Sequence, residues 1–434
     1  MNIIERLKSH RQLNPKSIAL TVDERQYTYE DLWADITGIQ FELSCMMTEA
    51  QGGRKIILIR DISFYNQCIL WFGALYRGYI PPMVCHNEMN DDYIEKIKDV
   101  IKTEGIPPQA DFGVLTSGGT TGNPKPLWRN ESSWRDFFDV QNGVFHINSR
   151  TILFLQGSFS FTGVSNMTVA VLWAGGTVLT SQSLKPTKWI QLMEAHRADH
   201  IYALPTKLRL LMRHCECTLS SVDYIIAGSQ VLDRDLMERL EFICPRMQFI
   251  LYYGGASELN YISYCSGSEW LEREHTVGKA FPSVQVEEQD GLLYITTAYH
   301  IEGIPDTYTV NDCGYIDSDG YIIFTGGRQG GDVVNKGGYK ISVPSMERYL
   351  QSLTGVDEVA VIVIDDDMRG EDFAVFMVLA EGSSRADVFN RIRESLPSVE
   401  WPKKILDVPM LPLTECSKVD KRKLKEWYNK LVCS

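Results

Sequence analysis

Residues 117–125 read SGGTTGNPK, with three glycines, three hydroxyl side chains and a lysine in nine residues, directly after the apolar run Phe112 to Leu115. Glycine lets successive backbone N–H groups turn toward one anion; Ser117, Thr120 and Thr121 add donors, and Lys125 adds charge. The chemistry open to such a loop is the holding of a phosphate or a similar anion. It is not the Walker pattern G-x-x-x-x-G-K-[ST], because Pro124 stands directly before the lysine. Three more charged residues draw notice only through their neighbours. Glu258 follows Tyr253-Gly254-Gly255-Ala256-Ser257, Asp312 lies between Asn311 and Cys313-Gly314, and Lys418 belongs to a basic tail with Lys421, Arg422, Lys423 and Lys425. Taken singly, each is what a solvated surface carries.

The elements that must position these residues alternate between strand and helix signals. Lys55-Ile56-Ile57-Leu58-Ile59 reads as a buried strand, followed by a helical pattern through Phe64, Ile69, Trp71, Phe72 and Leu75 that Gly78 and Pro81-Pro82 interrupt. A second alternation runs through Thr151 to Leu155, Thr168 to Trp173 and Thr177 to Leu179. A third has strands at Tyr224 to Ala227 and Gln248 to Tyr252 around a helix at Asp233 to Phe242. Strands separated by helices of this size predict parallel α/β layers. From about Gln285 the texture changes to short strands (291–296, 314–317 and 320–324), with Asp319-Gly320 as a hairpin signal. Gly326-Gly327-Arg328-Gln329-Gly330-Gly331 is the candidate hinge. After it the pattern predicts a helix near Ser345 to Ser352, strands at Glu358 to Ile364 and Ala374 to Leu379, and a helix at Ala386 to Leu396. The predicted fold is α/β: a large N-terminal domain of layered α/β subdomains plus a small β-rich subdomain (1–326), then a small mobile α+β C-terminal domain (327–434).

The bulk numbers agree with two or three domains. The 434 residues are 44% apolar and 23% charged, the balance of a globular protein with a substantial core. A net charge of −13 argues against nucleic acid as the main partner, although a nucleotide needs only local positive charge. No apolar run approaches the roughly 18 residues of a spanning helix, and the charged start lacks a secretory pattern, so no membrane association and a cytoplasmic location are expected. Ten irregularly spaced cysteines fit reduced thiols rather than a disulfide scaffold. His214, Cys215 and Cys217 lie close together without a second pair at ligand spacing, so they read as a helix end with incidental cysteines rather than a zinc site.

The loop at 117–125 resembles the signature [STG]-[STAG]-G-[ST]-[ST]-G-x-P-K of the adenylate-forming superfamily of acyl-CoA synthetases, peptide-synthetase adenylation domains and luciferases. Four further segments follow in the family's order. Tyr253 to Glu258 is similar to Y-G-x-[ST]-E with one extra glycine, and Asn311-Asp312-Cys313-Gly314 to T-G-D-x-G with Asn for Gly. Gly327-Arg328 with Gly337-Gly338-Tyr339-Lys340-Ile341 is similar to G-R-x-D-x(5,6)-G-x-x-I, and 412–420 to P-L-T-x-x-G-K-[IV]-D with Ser417 for Gly.

The resemblance implies ATP and Mg2+ as cofactors and a division of tasks. Ser117, Gly118, Gly119, Thr120, Thr121, Gly122 and Lys125 would hold the β- and γ-phosphates. Glu258, a hard carboxylate, would bind magnesium. Asp312, with Arg328, would take the ribose hydroxyls. Tyr252 or Tyr253 would stack on adenine, with Gly228-Ser229 as the opposite wall and Ser257 beside the nucleotide. Lys418 would offset charge at the reacting carboxylate and α-phosphate, in a reaction that depends on positioning and electrostatics. After a rotation of the small domain about Asp332 or a neighbouring glycine, Gly337, Gly338 and Tyr339 would line a thiol channel. The thiol would belong to coenzyme A or to a pantetheinyl carrier protein, and the enzyme would be a monomer or homodimer.

Amino-acid-activating members carry an F-D-x-[ST] segment whose Asp meets the substrate ammonium. The corresponding residues here, 157–163 (GSFSFTG), have no carboxylate, and a buried unpaired ammonium is costly. The His-Asn pair of aryl-acid members is also absent. A pocket of Phe159, Phe161, Asn166, Gly254, Gly255 and Ala256 would take a small acyl or aromatic acid. The chain is shorter than most members, with one helix (Asp91 to Lys102) replacing a longer stretch between Pro82 and Asp111. Two other readings compete. A phosphotransferase would leave Lys418 without a task, and a degenerate paralogue would draw on Asn311, Ser417 and the altered hinge.

Overall fold

The computed structural model describes all residues except 40–44, 51, 79, 86–90, 116–124, 229–233, 255–256, 274, 327–332, 337–338, 367–369, 397, 415–417 and 433–434. By its internal contacts the chain forms two units. The first comprises Met1–Gln230, Arg234–Val286 and Ile295–Tyr308; the second comprises Glu287–Tyr294 and Thr309–Ser434.

The main sheet of the first unit is built on six parallel strands in the order Gln248–Gly254, Tyr224–Gly228, His200–Tyr202, Ile152–Leu155, Thr177–Thr180 and Ile18–Val22. Tyr261–Ser266 and then Thr276–Ala280 extend it on one side, and Arg25–Thr28 on the other, all antiparallel. Strands such as Tyr224–Gly228, buried at four of five positions, are continuous apolar runs because parallel strands are covered on both faces. A smaller sheet runs Cys45–Glu49, Lys55–Ile59, Pro82–Val84, Phe112–Leu115 and Pro126–Arg129. Helix Asp91–Glu104 buries Ile94, Ile97 and Ile101, three and four residues apart, against Ile56, Leu58, Met83, Leu115 and Trp128 of this sheet. The positions flanking the signature loop thus belong to two adjacent antiparallel strands, Phe112–Leu115 and Pro126–Arg129.

Helix Phe64–Arg77 is capped by Ser63 and stops at Gly78, whose left-handed φ of 70° costs glycine no side-chain strain. The helix anticipated at Thr168 to Trp173 starts six residues earlier, spanning Thr162–Ala174. Its first turns carry Thr162, Ser165, Asn166 and Thr168, the last three of them buried, so the apolar period that marks a helix in sequence is missing where the helix begins.

In the second unit, Cys313–Ile316 and Ile322–Gly326 form the anticipated hairpin around Asp319-Gly320, where Asp317 Oδ1 accepts from the amides of Asp319 and Tyr321, each at 2.9 Å. A second sheet follows in the order Tyr339–Ser342, Val333–Lys336, Gly370–Leu379 and Val356–Asp366, with Lys404–Asp407 parallel to Gly370–Leu379. Alternation along its two long strands sends Val361, Phe373, Val375 and Met377 to one face, under helices Val343–Gln351 and Arg385–Ser395. The other face takes Ala360, Ile362, Ala374 and Phe376, under Leu424 and Tyr428 of helix Lys421–Val432. Layered α/β sheets and a compact α+β module agree with the fold class expected from sequence.

Candidate active site

Strand Pro126–Arg129 leads away from Lys125, which is exposed, and ends on the side chain of Arg129. Arg129 is 0% exposed. Its Nη2 donates to the carbonyl of Ser257 at 2.9 Å, and its Nη1 to the carbonyl of Tyr299 at 3.3 Å and to Ser133 Oγ at 3.1 Å. The guanidinium lies 6.0 Å from the centre of the Trp134 ring. Burial pushes its pKa down to about 9 while the charge of Glu258 pulls it back up, so it stays a cation at neutral pH. Nε has no hydrogen-bond partner among the described residues.

Glu258 follows the end of strand Gln248–Gly254 and is fixed through its backbone: its carbonyl accepts from Ile301 N at 3.0 Å, and Leu259 bridges to His300. The side chain is different. Oε2 is buried and has no hydrogen-bond partner among the described residues. A carboxylate oxygen in that state is costly unless something else meets it, and an oxygen-seeking divalent cation is the fitting group. Ser257 Oγ lies 2.8 Å from Thr162 Oγ1, at the start of helix Thr162–Ala174, so the segment before Glu258 and the 157–163 loop meet directly.

That loop is held from below by two buried polar side chains. Gln67 Oε1 accepts from Phe159 N at 2.9 Å and from Ser158 Oγ at 3.0 Å, and Lys207 Nζ donates to the carbonyl of Gln156. Phe159 is enclosed by the aromatic core, its ring 5.6 Å from that of Trp71 and 6.0 Å from that of Phe64. Phe161 stands directly before the helix and is half-buried. Asn166, one turn inside the helix, is 4% exposed, and neither its Oδ1 nor its Nδ2 has a partner among the described residues.

Gly228 pairs in register with Tyr252, and a Cβ there would come within 2.3 Å of the Tyr252 carbonyl and 2.8 Å of its ring; no other residue fits. Tyr252 itself is buried, with its hydroxyl 2.8 Å from that of Tyr202 and its ring stacked on that of Tyr202 at 5.8 Å. Tyr253 points to the opposite side of the strand and is half-buried, as is Gly254.

In the second unit, Asp312 follows Asn311, whose φ of 63° is left-handed. The family pattern has glycine at that place, and asparagine is among the few other residues that enter this region readily, so the substitution preserves the backbone. Lys418 is exposed; Thr414 N donates to its carbonyl at 2.8 Å, Leu413 bridges Val419, and Asp420 caps the helix Lys421–Val432 through the amides of Arg422 and Lys423. Tyr339 lies in strand Tyr339–Ser342. Ser117, Gly118, Gly119, Thr120, Thr121, Gly122, Ser229, Gly255, Ala256, Arg328, Gly337 and Gly338, together with Ser417 and Asp332, lie outside the described residues. His214 ends helix Pro205–His214, and the Cys215 and Cys217 sulfurs are 3.8 Å apart.

The sequence reading missed Arg129, Gln67 and Lys207. The signal for Arg129 was present: a charged residue closing the apolar strand PLWR, four places after Lys125. Gln67 and Lys207 sit inside helical patterns, where a polar residue ordinarily faces water.

The chain matches the AMP-binding enzyme family over residues 82–291 and the AMP-binding enzyme C-terminal domain over 345–418, together more than half its length. It is 26% identical over 368 residues to the uncharacterized acyl–CoA ligase YhfT of Bacillus subtilis (strain 168), covering 81% of this chain and 75% of the relative. It is 24% identical over 461 residues to the putative long chain fatty acid-CoA ligase VraA of Staphylococcus epidermidis, covering 98% of each. Its fold is shared with O-succinylbenzoate coenzyme A synthetase (MenE) from Bacillus subtilis in complex with ATP and magnesium ion, at a TM-score of 0.76, 17% identity, and coverage of 97% of this chain and 99% of that one. No helix among the described residues is long and apolar enough to cross a membrane. The chain belongs to the AMP-binding enzyme family and is an adenylate-forming enzyme of its acid–CoA ligase group.

Proposed function

We propose that the protein uses ATP to convert a carboxylic acid that is not an amino acid into an acyl-adenylate, releasing pyrophosphate, and then passes the acyl group to the thiol of coenzyme A. The observation that carries this reading is Glu258 Oε2, buried and without a hydrogen-bond partner among the described residues, in a chain whose 117–125 run resembles the family's phosphate-binding signature. Its donor type fits Mg2+, which Glu258 would hold. When bound, the ion would neutralise phosphate charge as pyrophosphate departs.

The chain's own residues supply the rest. Ser117 to Gly122 and Lys125 hold the outer phosphates. Tyr253 takes the adenine face, since the hydroxyl and ring of Tyr252 are engaged with Tyr202, and Gly228 with Ser229 gives the other wall. Asp312 and Arg328 bind the ribose, and Lys418 offsets negative charge where carboxylate and α-phosphate meet. The acid lies against Phe161, Gly254, Gly255 and Ala256, and the amide of Asn166, without a partner among the described residues, meets its polar group. The 157–163 loop has no carboxylate for a substrate ammonium. Gly337, Gly338 and Tyr339 serve the thiol step.

The test is acid-dependent ATP–pyrophosphate exchange over aryl, fatty, dicarboxylic and amino acids, followed by addition of coenzyme A. Exchange with a non-amino acid, then AMP release and thioester formation on adding coenzyme A, is the expected result. Exchange confined to amino acids, or none at all, would sink the reading; exchange without turnover on coenzyme A points to a carrier-bound thiol instead.

A further inference from the structure

Arg129 bonds to both segments that hold Glu258. Ser257, whose carbonyl accepts from Nη2, is the residue before Glu258; Tyr299, whose carbonyl accepts from Nη1, lies two residues before Ile301, whose amide holds the Glu258 carbonyl. The same segments are tied to the Arg129 strand and its next turn from outside: Glu302 N donates to the Trp128 carbonyl at 2.7 Å, and Asn260 Nδ2 to the Ser133 carbonyl at 2.6 Å. These outer bonds would fix the two segments around an apolar side chain as well. A guanidinium brings a large burial penalty, so its presence at the centre asks for a reason beyond packing. The reason within reach is charge: the Glu258 carboxylate acts on the guanidinium and favours its charged form.

We propose that Arg129 is a positioning residue for the metal-binding carboxylate: it fixes the Ser257–Glu258 backbone and, as a nearby buried cation, keeps the Glu258 side chain aimed at the divalent ion. This rests on the adenylation reading above. Arg129 does not touch the nucleotide; it acts through Glu258.

The full-length protein tests this with Arg129→Lys, Arg129→Met, Glu258→Gln and the double variant Arg129→Met/Glu258→Gln. The primary readout is Mn2+ binding, followed by its paramagnetic resonance signal in the presence of a non-hydrolysable ATP analogue, so no turnover is needed; melting curves check folding. Arg129→Met should raise the Mn2+ midpoint about 10- to 100-fold, the scale at which residues that orient metal ligands act. Arg129→Lys should show a smaller rise. In the Glu258→Gln background the Arg129→Met change should add little. Equal losses in both backgrounds would mean a purely structural role and overturn the proposal. If Arg129→Met does not fold, Arg129→Lys decides alone, and an unchanged midpoint in that variant also overturns it. Wild-type exchange whose metal dependence ignores Arg129 would leave the adenylation reading standing without this role, whereas a wild type that exchanges with no acid takes down that reading and the proposal with it.

Discussion

Arg129 in the first unit and Lys336 in the second are both buried cations near a carboxylate, and they are completed to different degrees. Lys336 Nζ lies 2.7 Å from Asp372 Oδ1, donates to the Trp401 carbonyl at 2.6 Å, and sits 5.2 Å from the centre of the Phe373 ring. Asp372 Oδ1 also accepts from Phe373 N at 2.8 Å, and the two side chains are 2% and 4% exposed. Around Arg129 the acceptors are two carbonyls and a hydroxyl, while Nε and the Glu258 Oε2 are unpartnered among the described residues. A directly bonded pair such as Lys336–Asp372 fixes a fold: here it joins strand Val333–Lys336 to strand Gly370–Leu379, where Lys336 is in register with Gly370. An incomplete arrangement is expensive in a folded protein unless another group finishes it, and the groups that finish sites of this kind are ligands.

The sharpest way to break the contrast is to remove Lys336. Lys336→Met should lower stability by about 3–5 kcal/mol, because Asp372 is left buried without a counter-charge, and Lys336→Met/Asp372→Leu should recover most of it. Denaturant unfolding measures both; a single-variant loss below about 1 kcal/mol would show that the pair does not lock the fold.

A second lysine of the same unit gives the opposite pattern. Lys418 is exposed, so Lys418→Ala should leave stability within about 0.5 kcal/mol of wild type. Acid-dependent exchange should fall about 100- to 1,000-fold, or roughly 3–4 kcal/mol of transition-state stabilisation, while thioester formation from supplied acyl-adenylate is largely retained. Equal loss of both steps would contradict a role confined to the first.

The smallest effect concerns backbone shape. Asn311→Gly should be neutral within about 0.5 kcal/mol. Asn311→Ala should cost about 1 kcal/mol, because alanine must hold the left-handed conformation without asparagine's local hydrogen bonding. If alanine melts like glycine, Asn311 is not standing in for the family's glycine.

Sequence alone determined the family, because its five motifs are local: short runs of glycine, hydroxyl and charged residues whose spacing is set by the ligand and survives in the linear order. It also determined most strands and helices, wherever burial followed a period of two or of three to four residues. What it did not disclose was the start of helix Thr162–Ala174, since burial there falls on hydroxyls and an amide, nor that Tyr252 is buried against Tyr202, fifty residues away along the chain. Only the tertiary structure decided that Arg129 is a buried cation bonded to the carbonyls of Ser257 and Tyr299 and that, among the described residues, Asn166 and Glu258 keep unpartnered polar atoms. Burial and hydrogen-bond satisfaction are properties of what the whole chain brings together, and no window of sequence contains them.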